Sequence, residues 1–409
     1  MNLLYYGDNH KVLRRDVEDA RLVCCLLLWI LMGGFGPKDT TPAFAWTGPW
    51  EKTGLTGSYH SYVKLDDGRV ACFCNRGLSK LVCDCPSLMF PGAIAVSFTR
   101  EPGNLLTWTP SAPLMTWEGI LDLPDPSDRS RPAPNRLMTR PTVVRLPSGY
   151  FLGLGAISRD YPPVDGLYYV TSFAGSMERV KVVKEALLAG REVPMSEMWK
   201  YQGKVTGPVG EYQDKVQVPN SMYTDVGNLI FLPDGAPKPD HARPTRNRFL
   251  LFANYLGAPE LKKDGWLWTT LCYSADGRKW FFAKDPTGVV RNLTPFPDGG
   301  GLPFVFRHAP DEWWMWRTVG TWSEPGTDTI VGAREICLYY SPDGLNWRQV
   351  RTDVSYRDFL GADGRPLGLK NMSIYYDEDT RQIHGMLSVW DDIAQGWCKY
   401  HNLAKVSRR

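Results

Sequence analysis

Four stretches of the chain set polar or charged residues directly ahead of an apolar run: Tyr59 and His60, Arg140, Tyr223 and Asp225, and Lys370 and Asn371. A guanidinium fork matches a carboxylate through two parallel hydrogen bonds, which Lys cannot reproduce. A Tyr, His, Arg, Asp and Asn mixture meeting from separate strands suits a polyhydroxylated or acidic ligand. Glycosidic chemistry needs two carboxylic acids across a sugar ring, one protonated and one ionised. Asp225 is the first candidate, with Glu211, Glu324 and Glu335 as possible partners. The plainer readings stay open: Arg140 can pair with a neighbouring carboxylate, and His60 can be a satisfied turn residue.

The second chemical cluster is made of thiols. Among nine cysteines, four are spaced as Cys72-x-Cys74 and Cys83-x-Cys85. Residues two apart share a face of a strand, and one hairpin register would pair Cys72 with Cys85 and Cys74 with Cys83. Two disulfides or a four-thiolate zinc site would result, disulfides in an exported chain and zinc in a cytosolic one. Cys272, Cys337 and Cys398 sit in apolar strands and read as buried small hydrophobes. Signatures of other metal sites and of phosphate loops are absent, and no cofactor is expected.

These residues need strands to carry them. Leu271–Trp280 (LCYSADGRKW) and Leu338–Trp347 (LYYSPDGLNW) are near copies in which a strand ends in Ser-x-Asp-Gly-x-x-Trp. In such a turn Asp accepts backbone hydrogen bonds, Gly takes positive φ and Trp covers the turn from the returning strand. Residues 94–97 running to Leu106-Thr107-Trp108, and Tyr168–Ser172, are weaker relatives. An apolar strand, a turn and a second apolar strand also recur at Tyr62–Phe73, Val143–Leu154, Leu229–Gly235 with Arg248–Ala253, Phe304–Trp316 and Ile374–Leu387. Their turns lie roughly 70–85 residues apart.

Five copies of a four-stranded unit follow. One sheet cannot bury both faces, so such units stack around an axis. The expected fold is all-β, a β-propeller of five four-stranded antiparallel blades, with six blades or a sandwich as alternatives. The segment Phe44–Trp50 can supply the strand that closes the last blade. The amphipathic stretch Met177–Leu188 is the best helix candidate, while Asp122–Pro134 and Asp234–Arg248 read as exposed insertions.

Composition agrees. The chain has 409 residues, with 16 Trp, 19 Tyr and 16 Phe beside 39 Gly and 32 Pro, a mixture of aromatic strands and frequent turns. A net charge of +3, with both signs interspersed, argues against a nucleic-acid binder. The apolar run Leu22–Met32 is shorter than the ~20 residues of a membrane span and fits a signal-peptide core, with Ala43-Phe44-Ala45 as cleavage pattern. Residues 1–45 are therefore read as a signal peptide or apolar extension and 46–409 as one propeller domain. The mature protein would be secreted or periplasmic, without a transmembrane span.

The two turns resemble the Asp-box repeats of the sialidase superfamily, whose consensus Ser-x-Asp-x-Gly-x-x-Trp has one more residue between Asp and Gly. The shorter form is also similar to turns of five-bladed furanosidase-type glycosidases. The likeness implies a propeller with these turns on the outside of its blades. Arg140-Pro141 resembles the Arg-Ile-Pro strand of sialidases, without its Ile. There the arginine holds the sugar carboxylate, which implies Arg317 and Arg334 as second and third arginines. The sialidase nucleophile is a Tyr activated by Glu, implying Tyr223 or Tyr212 with Glu211. Furanosidase-type enzymes keep an acid at the start of the first inner strand, where this chain has His60.

Three functions are carried forward. The first is a glycoside hydrolase of sialidase-like type that cleaves a terminal sugar in a pocket on the propeller axis. The second is a propeller that binds carbohydrate or protein without chemistry, served by Trp266, Trp268, Trp313, Trp314, Trp316 and Trp322. The third is a furanosidase-type glycosidase. A glycan is the expected partner in each enzymatic reading.

Overall fold

A computed structural model describes residues 42–77, 92–115, 138–158, 168–193, 200–204, 224–255, 268–293, 301–323, 330–391 and 396–407. The chain divides into two compact units: residues 1–45 with 406–409, of which 42–45 and 406–407 are described, and Trp46–Lys405. Strands β1 (Ala43–Trp46) and β2 (Glu51–Thr56) come first. Three four-stranded antiparallel sheets follow in chain order. They are β3 (Ser58–Lys64), β4 (Val70–Gly77), β5 (Gly92–Phe98), β6 (Ala112–Met115); β7 (Met138–Arg145), β8 (Tyr150–Ser158), β9 (Tyr168–Ser176), β10 (Lys200–Lys204); and β11 (Thr224–Phe231), β12 (Phe249–Tyr255), β13 (Trp268–Ser274), β14 (Phe281–Phe282).

The fourth unit is β15 (Gly301–Ala309), β16 (Glu312–Ser323), β17 (Ile330–Ser341) and β18 (Arg348–Ser355). The fifth is β19 (Leu369–Asp377), β20 (Gln382–Asp391) and β21 (Gly396–Ser407), with β2 paired to β21 so that Glu51 faces His401. The fourth and fifth units also touch through the pair Ala333–Leu369. First strands are neighbours in cyclic order: β3 beside β7, β7 beside β11, β11 beside β15, β15 beside β19, and β19 beside β3.

The core lies between neighbouring sheets. Val63, Phe73 and Phe98 of the first unit pack with Val143 and Phe151 of the second. Val144 and Leu152 meet Leu229, Phe249 and Trp280; Phe252 and Leu271 meet Trp313, Met315 and Tyr339; Cys72 and Cys74 meet Tyr375 and Met386. Each sheet thus covers its neighbour's otherwise wet face, the burial that a single sheet lacks. Helix α1 (Met177–Leu188) is capped by Ser176, whose Oγ accepts from Arg179 N at 3.3 Å, and buries Val180, Val183 and Leu187 against the first two sheets.

The two near-identical turns have the expected chemistry. Asp343 Oδ1 accepts from Leu345 N at 2.9 Å and Asn346 N at 2.8 Å, Gly344 has φ 74°, and Trp347 Nε1 donates to Gly344 O at 3.0 Å. Asp276, Gly277 (φ 75°) and Trp280 repeat this, with Trp280 Nε1 donating to Gly277 O at 3.1 Å. The weaker relative shares the indole bond: Trp108 Nε1 donates to Leu105 O at 2.7 Å.

Residues 234–248 are exposed over most of their length, as expected of an insertion, and are anchored by Asn247, which is fully buried and donates to both Asp240 O and Pro244 O because a buried amide must satisfy its donors. The cysteine hairpin register is replaced. Strand β4 pairs with β5, setting Cys72 opposite Ser97 and Cys74 opposite Ala95, and both side chains are buried. Ala95, Val96, Ser97 and Phe98 are all buried, so both faces of β5 lie in the core, and its ladder with β4 occupies the side on which Cys83 and Cys85 were expected to pair. Cys83 and Cys85 lie outside the described residues, as does Asp122–Pro134. Cys272, Cys337 and Cys398 are buried in strands as expected.

Candidate functional site

Every first strand carries the same irregularity near its start. Pairing with the second strand shifts between Ser58 and Ser61 in β3, Thr139 and Thr142 in β7, Asp225 and Asn228 in β11, Gly301 and Phe304 in β15, and Leu369 and Met372 in β19. Such a bulge leaves residues out of the ladder and re-aims them. The residues it holds are Tyr59-His60, Arg140-Pro141, Val226-Gly227, Leu302-Pro303 and Lys370-Asn371. Local sequence explains part of it, since Pro141 and Pro303 have no N–H to give to a ladder. A Cβ on Gly227 would fall 1.7 Å from Phe252 O, so no other residue fits there.

The residue just past the bulge bonds to the next unit. Ser61 Oγ donates to Val143 O and accepts from Val143 N, both at 2.9 Å. Thr142 Oγ1 accepts from Leu229 N at 2.8 Å, and Asn228 donates to Val305 O at 3.1 Å while accepting from Val305 N at 2.7 Å. These bonds hold four successive first strands in one relative alignment, so the bulges lie at corresponding ends of them.

The sequence candidates fall as follows. Tyr59, His60, Arg140, Lys370 and Asn371 occupy the bulge itself, and Asp225 immediately precedes it; for Tyr59, Arg140 and Asp225 it is the backbone that is described. Tyr223, Tyr212, Glu211 and Glu324 lie outside the described residues. Arg317 stands on the second strand, between Trp316 and Thr318, which pair with Phe304 and Gly301; it therefore faces the fourth bulge and is buried. Arg334 is exposed and lines a surface pocket with Val319, Gly320, Glu335, Ser355, Tyr356 and Arg357. Arg317 lies opposite Cys337, three ladder positions from Arg334, an odd offset that puts the two arginines on opposite faces of the sheet, one buried and one exposed.

His60, Lys370 and Asn371 gather around a residue that motif reading missed. Lys399 of β21 is fully buried, and its Nζ hydrogen-bonds Ser388 Oγ. Ser388 Oγ in turn donates to Asn371 Oδ1 at 2.8 Å, and Asn371 Nδ2 reaches Ser373 Oγ at 3.3 Å. Burial lowers the Lys399 pKa, Cys72 and Cys74 oppose it and Lys370 adds to the lowering, which leaves it at about 7. Burial and then the nearby charge of Lys399 hold His60 well below the ordinary histidine range, so its ring is neutral. The only sequence signal was a charge inside an otherwise apolar strand, Trp397-Cys398-Lys399-Tyr400.

The opposite ends of these strands carry structural ion pairs. Lys64 bridges Asp377 and Asp379 at 2.5 and 2.7 Å, Arg145 pairs with Asp66 at 2.7 Å, and Lys184 with Asp67 at 2.5 Å. Among the described residues no three His, Cys, Asp or Glu side chains group to hold a metal ion, and no helix is long and apolar enough to cross a membrane.

No protein-family profile and no curated protein matches the sequence. Solved structures do share its fold. An exo-β-1,3-galactanase from Clostridium thermocellum aligns over 90% of this chain and 68% of its own, with TM-score 0.51 and 10% identity. A thermostable family-43 glycoside hydrolase aligns over 89% and 97%, with TM-score 0.50 and 11% identity. An exo-1,5-α-L-arabinanase from a bovine ruminal metagenomic library aligns over 87% and 94%, with TM-score 0.47 and 11% identity. The fold is thus similar to that of an exo-β-1,3-galactanase and of a family-43 glycoside hydrolase, which replaces the expected sialidase relationship.

Proposed function

We propose that the five sheets are the blades of a propeller and that the chain is a glycoside hydrolase of the five-bladed furanosidase-like type, cleaving a terminal sugar at the end of the axis where the bulges lie. The observation that carries this reading is the bulge repeated in all five first strands, holding or adjoining Tyr59, His60, Arg140, Asp225, Lys370 and Asn371. In this reading Asp225 supplies one of the two carboxyl groups and Glu211 is the candidate for the other, one acting as acid and the other as base or nucleophile. Tyr59, Tyr223, His60, Arg140 and Asn371 bind the sugar. The similarity to a galactanase favours neutral galactosides over sialosides. The amino-terminal apolar run supports export to the medium or periplasm.

A second reading is a propeller that binds sugar without cleaving it. It is favoured by His60, buried and neutral, at the point where furanosidase-type enzymes keep an acid. Nitrophenyl α-L-arabinofuranoside, β-D-galactoside and α-sialoside, with β-1,3-galactan and arabinan oligosaccharides, separate the two. Turnover of a furanoside or galactoside supports the enzyme. Saturable binding without turnover supports the second reading, and neither binding nor turnover contradicts both.

A further inference from the structure

Across the five units, the residues opposite the bulge on the second strand are Cys74, Gly155, Ala253, Arg317 and Ser388. Their partners on the third strand are Ala95, Thr171, Thr270, Cys337 and Lys399. Four of these third-strand positions hold small neutral residues, so the fold does not require a cation there. Burying an ammonium costs several kcal/mol unless something compensates it. Among the described residues no carboxylate lies within ion-pair distance of Lys399; the groups facing it are Cys72 and Cys74 from β4, His60 from β3, Lys370 from β19 and Ser388 from β20.

An ammonium has three donors and no acceptor. Its bond to Ser388 therefore uses the serine oxygen as acceptor, and the one hydroxyl hydrogen of Ser388 is left to point at Asn371 Oδ1, as its 2.8 Å contact records. The amide of Asn371 is then fixed with its oxygen toward Ser388 and its nitrogen toward Ser373, whose Oγ takes one of its two N–H donors and leaves the other. We propose that Lys399 is a positioning residue which, through Ser388, holds Asn371 as a hydrogen-bond donor to a sugar oxygen at the bulge end of the first strands. The role toward sugar rests on the glycosidase reading, while the coupling of Lys399 to Asn371 does not. When Lys399 loses its proton its nitrogen can accept, the Ser388 hydroxyl can turn toward it, and the constraint on the amide is released.

Nuclear magnetic resonance of the Asn371 side-chain amide between pH 5 and 9 tests the coupling without any substrate. The resonance should titrate with a midpoint near 7 in the wild type, the pKa to which Lys399 is lowered, and stop doing so in Lys399→Met and Ser388→Ala. A resonance that stays flat in the wild type, or titrates unchanged in Lys399→Met, overturns the proposal. On a glycoside the wild type turns over, Lys399→Met should raise KM about tenfold with little change in kcat, as expected for one lost positioned hydrogen bond. Its melting temperature should be no lower than wild type, because a buried charge has been replaced by an apolar chain of similar length. A fall in melting temperature with unchanged KM would mean that Lys399 is merely structural. Absence of turnover in every protein would sink the glycosidase reading and leave the resonance result to decide the coupling.

Discussion

Asn228 and Val305 belong to different sheets, yet the Asn228 side chain makes two hydrogen bonds to the Val305 backbone, donating at 3.1 Å and accepting at 2.7 Å. The side chain thus acts as a short piece of β-ladder between β11 and β15, just past the bulge that follows Asp225. Ser61 does the same two units earlier, and Thr142, one unit earlier, accepts a single bond from Leu229 N. Replacing Asn228 with Leu should leave a buried N–H and C=O unsatisfied and cost about 1–3 kcal/mol. Urea unfolding should show a lower midpoint with an unchanged slope; an unchanged midpoint would mean that the sheets are aligned by apolar packing alone.

Asp343 accepts two backbone N–H bonds, the Ser341 hydroxyl at 2.9 Å and the Asn346 amide at 2.6 Å, all within one outer turn. Asp343→Ala should cost about 1–3 kcal/mol of stability while leaving turnover of the best glycoside within twofold of wild type. Paired denaturation and kinetic measurements check it, and a large loss of kcat would move this turn into the active site.

The buried ammonium predicts a pH signature. Lys399 has a folded pKa of about 7 against roughly 10.4 for an unfolded lysine. Below 7 both states carry the proton and the burial penalty is fully present. Between 7 and 10.4 the unfolded chain holds more protons than the folded one, so this group's contribution to stability rises with pH. The melting-temperature advantage of Lys399→Met should be largest below pH 7 and shrink toward pH 10. A pH-independent difference would contradict the burial of a titrating amine.

Three histidines give the acid side. His384 is lowered to about 4, first by burial and then by His401, which lies 3.0 Å away; His60 and His401 are lowered too. As pH falls through 6.5 the unfolded chain takes up protons that the folded chain refuses, so stability falls from about pH 6.5 downward. The carboxylates Asp67, Asp276, Asp343 and Asp377, held below the usual range, lose their contribution only below about pH 4. Thermal melts of the wild type and His384→Gln at pH 7, 5.5 and 4.5 should show a smaller acid loss in the variant.

The repeat was legible because its signals are local. Ser341-x-Asp343-Gly344 and Ser274-x-Asp276-Gly277 specify their turns by side-chain acceptors and positive φ, and Met177–Leu188 specifies its helix by apolar spacing and a serine cap. Three of the five bulges fall where polar residues interrupt apolar runs and were legible for the same reason, whereas Val226-Gly227 and Leu302-Pro303 carried no such signal. What the sequence concealed depends on partners distant in the chain. Cys72 and Cys74 seemed to await other thiols, whereas their strand pairs with one rich in small apolar residues. Lys399 lacked any motif, because its meaning comes from Ser388 and Asn371 across two strand pairings. Arg317 and Arg334 were matched by type alone, and residue type says nothing of which face of the sheet each occupies.

Asp225 is the central carboxyl group of the proposed site. With the glycoside that the wild type hydrolyses best, Asp225→Asn should lower kcat at least a hundredfold, the scale of losing a positioned acid or base, while melting temperature and sugar affinity stay close to wild type. An Asp225→Asn protein that turns over the same glycoside at the wild-type rate would contradict the proposal that catalysis takes place at the bulged ends of the first strands.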